Sequence, residues 1–249
     1  MEHGGFSWIH LIGLDRIRLP NLGTLPFLGE MPEYMPPYVA NGLLVMALVI
    51  LLAFLGNRQL GKSKDAIIPD DRLTLRNILE LIVEGVLKLL EANMGKRGKD
   101  FIFIIGGLVV FILFSNLSGV VPGFDPPTDS LNTTAACALT VFFLTHYYGM
   151  REHGMKYLKH FTGPFWWLAP LMVPIEMIGH LARPLSLSLR LFGNIMGDHT
   201  VFLIFFALMP FLIPIVVMVL GIFVAIVQTL VFVLLSMAYF SGAVEHMEH

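Results

Sequence analysis

Charge is what this sequence has least of. Asp, Glu, Lys and Arg make up 14% of its 249 residues, whereas 56% are hydrophobic, and the mean hydropathy is +0.75. A soluble domain usually carries about 25% charged residues, so a water-facing surface is hard to make from this supply. The scarcity is also uneven. No Asp, Glu, Lys or Arg occurs in residues 34–57, 101–124, 130–150 or 200–244. A bilayer-spanning helix needs about 20 mainly apolar residues, and the last of these intervals has room for two. The blanks predict a polytopic membrane protein and argue against a soluble fold of buried helices.

Other scarcities narrow the chemistry. The single cysteine, Cys137, lies in one of the blanks and leaves no intrachain disulfide to form; it reads as an inert thiol in apolar surroundings. The formal net charge is −2, and no cluster of Lys and Arg suggests nucleic acid. Neither a phosphate-cradling Gly-rich Lys motif nor a complete dinucleotide fingerprint occurs, so the chain is not expected to hydrolyse a nucleotide by itself. Glu176 and His180 stand one helical turn apart but fall short of a ligand set, and the terminal "EHMEH" reads as exposed. No metal, cofactor or catalytic residue is therefore expected. The first 33 residues lack a compact basic region followed by an apolar core, so a cleavable secretory signal is not expected.

What is present falls into two domains of unequal size. Residues 1–33 mix Gly, Pro and polar groups and predict an irregular extramembrane arm; residues 34–249 predict a single membrane domain. The first span runs from about Tyr38 to Leu55 and ends at Arg58, Lys62 and Lys64. Over about 73–95, "LTLRNILELIVEGVLKLLEANM" repeats Arg76, Glu80, Glu84, Lys88 and Glu91 every three or four residues, with Leu, Ile and Val filling the other face. That spacing makes an amphipathic helix with Arg76/Glu80 and Glu84/Lys88 as local pairs, and its charges favour a place against the membrane surface or an adjacent subunit over a crossing. A second span follows from about Phe101 to Leu117, a Pro- and Gly-rich connection holds Asp125 and Asp129, and a third span covers about Leu131 to Met150.

The basic groups Arg58/Lys62/Lys64, Lys96/Arg97/Lys99 and Arg151/Lys156/Lys159 fall on one side if the second and third spans are a hairpin. The acidic connection then lies on the other. Basic flanks mark the cytoplasm, which puts the N-terminus outside. Two long helices, about 171–209 and 215–241, complete the expectation, with a bend at "LMPFLIP". The fold class is thus all-α and polytopic, with five transmembrane helices, one amphipathic surface helix and the C-terminus in the cytoplasm. The first long helix exceeds a hydrocarbon core of about 30 Å and should be strongly tilted or kinked.

That helix carries the polar residues. Glu176, His180, Arg183, Leu187, Arg190, Asn194 and Gly197 follow steps of three or four, with Asp198 and His199 beside the end of the series. Such spacing predicts one narrow polar face, and the small groups Ser186, Ser188, Gly193 and Gly197 admit close approach by another helix. A guanidinium keeps its proton under ordinary conditions, so Arg190 would hold a nearby carboxylate ionised and place a positive barrier in a polar path. It lies about 21 Å along the axis from Glu176 and about 12–13 Å from Asp198 and His199, which divides the path into halves. Carboxyl and imidazole groups at Glu176, His180, Asp198 and His199 can exchange protons where water reaches them. Asn194 and Gln228 can hydrogen-bond to Arg190 or to water.

The segment "PIEMIGHLARPLSLSLRLFGNIMGDH", with "FSNLSGVVPG" before it and "AIVQTLVFVLLSMAYFSGAVEH" after it, resembles the a subunit of the membrane sector of bacterial-type rotary ATP synthases. The resemblance covers about Tyr38 to His246. It implies a stator in a bacterial plasma or inner membrane, with the two long helices facing a ring of c subunits and with a b-subunit peripheral stalk and the rest of the synthase as partners. Arg190 matches the family's essential arginine and Glu176 the acid of the cytoplasmic access path. Asn194, Gln228 and Ser186 match polar positions near the arginine, and His199 a position held by histidine or glutamate near the opposite access path. Where several relatives place a complementary glutamate or histidine, this chain has Gly221, so outer relay would depend on Asp198, His199 and water. The resemblance implies two offset half-channels that pass protons, with sodium not excluded, to ring carboxylates. An independent ion-coupled secondary transporter could also use a buried arginine and Pro-interrupted helices, but five spans without a repeated half weigh against it.

Overall fold

The computed structural model describes Gly13, Ile17 and residues 34–59, 74–121, 123–154, 157, 167, 169–208 and 213–245. The N-terminal arm, Lys62, Lys64, Lys156, Lys159, most of the "LMPFLIP" bend and the final "HMEH" lie outside the described residues, apart from Gly13 and Ile17 in the arm.

Among the described residues six α-helices form one bundle: α1 Pro37–Gln59, α2 Leu75–Met94, α3 Ile102–Ser118, α4 Leu131–His153, α5 Ala169–Leu208 and α6 Ile213–Glu245. The elements match the expected all-α, multi-pass architecture. Among the described residues four stretches are long and apolar enough to cross a membrane: Pro37–Arg58, Arg76–Ser118, which runs through α2 into α3, Pro170–Leu208 and Ile215–Val244. Helix α4 has the length, at 23 residues, but its Thr, Tyr and His side chains keep it out of that apolar group.

The amphipathic helix forms where its pattern places it. Thr74 caps α2 by accepting a hydrogen bond from the Asn77 amide at 3.4 Å, satisfying one of the free N–H groups of the first turn. Arg76 bonds Glu80 at 2.7 Å and Lys88 bonds Glu84 at 2.7 Å. Its apolar face divides: Val86, Leu90 and Met94 enter the core, whereas Ile78, Leu81 and Val83 stay exposed. Gly95 and Gly154, with φ of 61° and 56°, end α2 and α4 in a conformation that disfavours side chains.

The core is built from matched stripes. Leu187, Leu191 and Ile195 recur at every fourth residue of α5 and pack with Val141 of α4, Ile105 and Ile112 of α3, and Phe232, Met237 and Phe240 of α6. In lipid the surrounding tails are as apolar as leucine, so close packing and buried hydrogen bonds, more than apolarity, hold such helices together. Asn116 of α3 supplies one such bond set. It donates to Thr229 at 3.3 Å and accepts from Thr128 at 2.8 Å, joining α3, α6 and the turn before α4. Asn41 of α1, fully buried, donates to the Asp125 carbonyl at 2.6 Å and pins the acidic connection.

The two ends of the bundle differ in charge. Arg97 meets Glu152 at 3.1 Å and Lys99 meets Glu91 at 3.1 Å, so the basic flanks of α3 and α4 gather at one end, called the inner end after the side that such flanks are expected to face. Asp125 and Asp129 lie at the other. Helix α5 has 40 residues and remains helical through Pro174 and Pro184, a length of about 60 Å. That is twice the hydrocarbon thickness of about 30 Å, so a membrane-embedded α5 must lie steeply tilted.

Candidate functional site

Helix α5 carries the polar groups along the margin of its packed face. The expected single narrow face is corrected: Leu187 is 2% exposed in the core, whereas Arg183, Arg190, Asn194 and Gly197 are exposed. Alternating steps of three and four residues drift around a helix of 3.6 residues per turn, which spreads the series over one edge. Ser186 is exposed on the open side, but Ser188 is buried and donates to the Leu185 carbonyl at 3.0 Å. Gly193 and Gly197 face open space, so among the described residues no helix uses their close approach.

Arg190 stands on that open side. Among the described residues it forms no ion pair or hydrogen bond, while Asn194 next to it donates to the Gln228 side-chain carbonyl of buried Gln228 at 2.8 Å. Around it α5 and α6 expose a long apolar surface, including Leu185, Leu189, Met196, Val219, Ile222, Phe223, Ile226 and Leu230. An exposed apolar face of this size with one fixed cation in it is a surface for another membrane protein or lipid, not for water.

Toward the inner end, His180 brings Nε2 to 3.3 Å from Glu176 Oε1, one turn away on the same helix. His180 also lines a recess of about 280 Å³ between α4, α5 and α6, together with Thr145, His146, Arg183 and Tyr239. The Arg183 guanidinium lies over the Tyr239 ring at 5.5 Å, a cation–π contact.

Toward the outer end, nine residues rotate α5 by two and a half turns, so His199 projects opposite Arg190. Its Nδ1 is 3.2 Å from Asp129 Oδ2 and its Nε2 is 3.8 Å from Asp125 Oδ1. A carboxylate on each ring nitrogen lets the imidazole accept a proton on one side and pass one from the other. Asp198 and His199 both line an open recess of about 430 Å³ with Asn116, Val217 and Gly221. Gly221 thus faces the two residues across the recess, and the acids that His199 meets come from the connection between α3 and α4.

Sequence reasoning missed Asp125 and Asp129 as partners of His199, and His146 as a neighbour of His180. The signal available for the first was that the connection holds acids alone; no signal fixed its register against α5. Among the described residues no group of three His, Cys, Asp or Glu side chains could hold a metal ion.

The family model for the ATP synthase A chain matches residues 39–241, which takes in every residue of both clusters. The chain belongs to the ATP synthase A chain family. It is 50% identical over 208 residues to "ATP synthase subunit a 1" of Syntrophotalea carbinolica, covering 84% of this chain and 86% of that one. It is 53% identical over 171 residues to "ATP synthase subunit a" of Geobacter sulfurreducens, covering 69% and 75% of the two chains, and 48% identical over 201 residues to the same-named protein of Trichlorobacter lovleyi, covering 81% and 84%. Membership in the ATP synthase A chain family gives the open α5–α6 face and its unpaired arginine a setting in which both have a use.

Proposed function

We propose that the chain is the ion-translocating stator of a rotary ATP synthase, with two offset proton half-channels that meet a c-subunit ring at Arg190. The observation that carries this reading is the exposed arginine on an apolar face, set between two separate carboxylate–imidazole clusters. Glu176 and His180 form the inner path; His199 and Asp198, with Asp125 and Asp129, form the outer one. Asn194, Gln228 and Ser186 are the polar groups around the arginine.

A proton entering one half-channel neutralises a ring carboxylate, which makes its passage through lipid far less costly. After nearly a full rotation the carboxyl group reaches the other half-channel and releases the proton. Arg190 favours the ionised carboxylate at that point and blocks direct leakage between the halves. Each charge moved supplies about 2.3 kcal/mol per 100 mV, so several together drive the catalytic head.

In this arrangement α1, α3, α4, α5 and α6 are the five spans and α2 lies at the membrane surface. Helices α5 and α6 face the ring, and a b-subunit peripheral stalk holds the chain against rotation. The gathered basic end faces the cytoplasm of a bacterial plasma or inner membrane, the N-terminus lies outside, and residues 34–249 act as one membrane domain. Protons are the transported ion, and a pumping series over proton and sodium concentrations tests that choice.

Arg190→Ala in the reconstituted complex tests the core of the reading. ATP-driven proton pumping is expected to disappear while nucleotide hydrolysis continues. Normal coupled pumping by the variant would overturn the assignment.

A further inference from the structure

The inner recess holds an imidazole that the proposed path does not use. His146 lies on α4, and its ring meets that of His180 edge to face, with centroids 5.1 Å apart. On its other side it packs edge to face against Tyr157 of the segment after α4, with centroids 5.9 Å apart. A line of side chains therefore runs from that inner segment through His146 and His180 to Glu176. Phe142, one turn earlier, packs on the same histidine at 4.2 Å. A second phenylalanine would fill the space of His146 without burying polar nitrogens, so packing alone does not account for an imidazole there.

Geometry fixes the tautomer of the neutral ring. His146 Nδ1 is 2.8 Å from the Phe142 carbonyl oxygen. A carbonyl only accepts, so Nδ1 carries the hydrogen and Nε2 keeps the lone pair. An incoming proton has one place to bind.

We propose that His146 is a proton-collecting residue of the inner path, delivering protons through His180 to Glu176. The inference rests on the inner half-channel reading above. A proton binds Nε2 of neutral His146 and makes an imidazolium. It then crosses the shared recess to the His180 nitrogen that faces away from Glu176, and His180 releases its Nε2 proton to Glu176 Oε1. One proton has moved, the carboxylate has become a carboxyl group, and both rings are neutral again.

Among the described residues the groups facing His146 are His180 and Arg183 from α5, Tyr239 from α6 and Tyr157 from the inner segment, with Glu176 behind His180. Two adjacent imidazoliums beside the Arg183 guanidinium would repel one another, which favours passing the proton on to Glu176. The Glu176 side chain is 34% exposed, and water supplies it directly when protons are plentiful. Collection by His146 limits the rate when they are scarce.

Assembled ATP synthase in proteoliposomes tests this through the pH dependence of ATP-driven pumping on the nucleotide side. His146→Phe and His146→Gln are expected to pump near the parent rate at acid pH and about tenfold more slowly at alkaline pH, a modest loss for a positioned proton carrier because direct supply remains. His146→Ala should show the same alkaline loss. Added imidazole should restore it, whereas pyrazole, of the same shape but a far weaker base, should not. Unchanged pumping at every pH, an equal reduction at every pH, or equal rescue by both compounds would overturn the proposal. Glu176→Gln separates the two readings. Normal pumping by that variant defeats the inner half-channel itself, while impaired pumping beside a parental His146→Phe profile defeats only the role of His146.

Discussion

The two polar clusters use the same pair of groups, carboxylate and imidazole, but are assembled differently. The inner Glu176–His180 contact joins neighbours one turn apart on α5. The outer cluster joins His199 of α5 to Asp125 and Asp129 of a connection about seventy residues earlier. A pair on one helix keeps its geometry as long as that helix persists. A cluster from two segments depends on whatever holds the segments together, here the Asn41 bond to the Asp125 backbone and the Asn116–Thr128 bond. The inner cluster is therefore the sturdier and the outer cluster the more easily broken from a distance.

The sharpest way to break this comparison is at the outer ring nitrogens. His199→Ala removes the group that both acids face and is expected to slow passive proton exchange on the outer side about 100-fold, a typical loss for a positioned acid–base group. Glu176→Gln should impair inner exchange without altering the outer side, and flux measured separately from each face checks both. A smaller effect is expected from Thr128→Val, which keeps the shape but strips the donor from the buried Asn116 carbonyl oxygen. A loss of about 1–3 kcal/mol follows from an unpaired buried acceptor, read as a lower thermal midpoint of the complex together with weakened outer exchange. An outer flux untouched by Thr128→Val would show that the acidic connection does not need this tether.

At the inner end, Gly149→Ala places a Cβ 2.6 Å from the Tyr157 ring. The ring must shift, at a cost of about 1–3 kcal/mol for overpacking, and the inner path should slow while the outer one does not. Least of all should change in Arg97→Ala. Its pair with Glu152 is exposed, with side chains 62% and 47% accessible, and such pairs contribute only about 0.2–1 kcal/mol. A stability loss within that range and unaltered pumping are expected, and a larger loss would mean that the gathered basic end does more than carry exposed charge.

Local patterns made much of this legible. The amphipathic repeat gave α2 to within a residue or two of 73–95, because charges every three or four residues can lie on one side only if the backbone is helical. The charge-free intervals marked α1, α3 and α6 as membrane helices, whereas α5, which holds Glu176, Arg183, Arg190 and Asp198, was legible from its apolar filling and helical spacing. For α4 the interval marked a helix but not its apolarity, since a blank in charge says nothing of Thr, Tyr and His. The same arithmetic overstated the α5 stripe: Leu187 shares its spacing with Arg190, but packing against α4 and α6 rolled the helix so that one is buried and the other open. Register across helices was out of reach, and with it the meeting of His199 with Asp129 and of His146 with His180.

The amino-acid sequence by itself determined that the chain is helical, that it belongs in a membrane, and that one long helix carries Glu176, His180, Arg190 and His199 in that order. Those are consequences of composition and of a fixed helical period. Which of these residues meet partners was decided only by tertiary structure, because the rotation of α5 and the anchoring of the acidic connection arise from packing between segments far apart in the chain. That packing left Arg190 on the open face and turned His199 away from it toward two acids. It also set Gly221 across the recess from Asp198 and His199, and brought the acidic partners of His199 from the connection between α3 and α4.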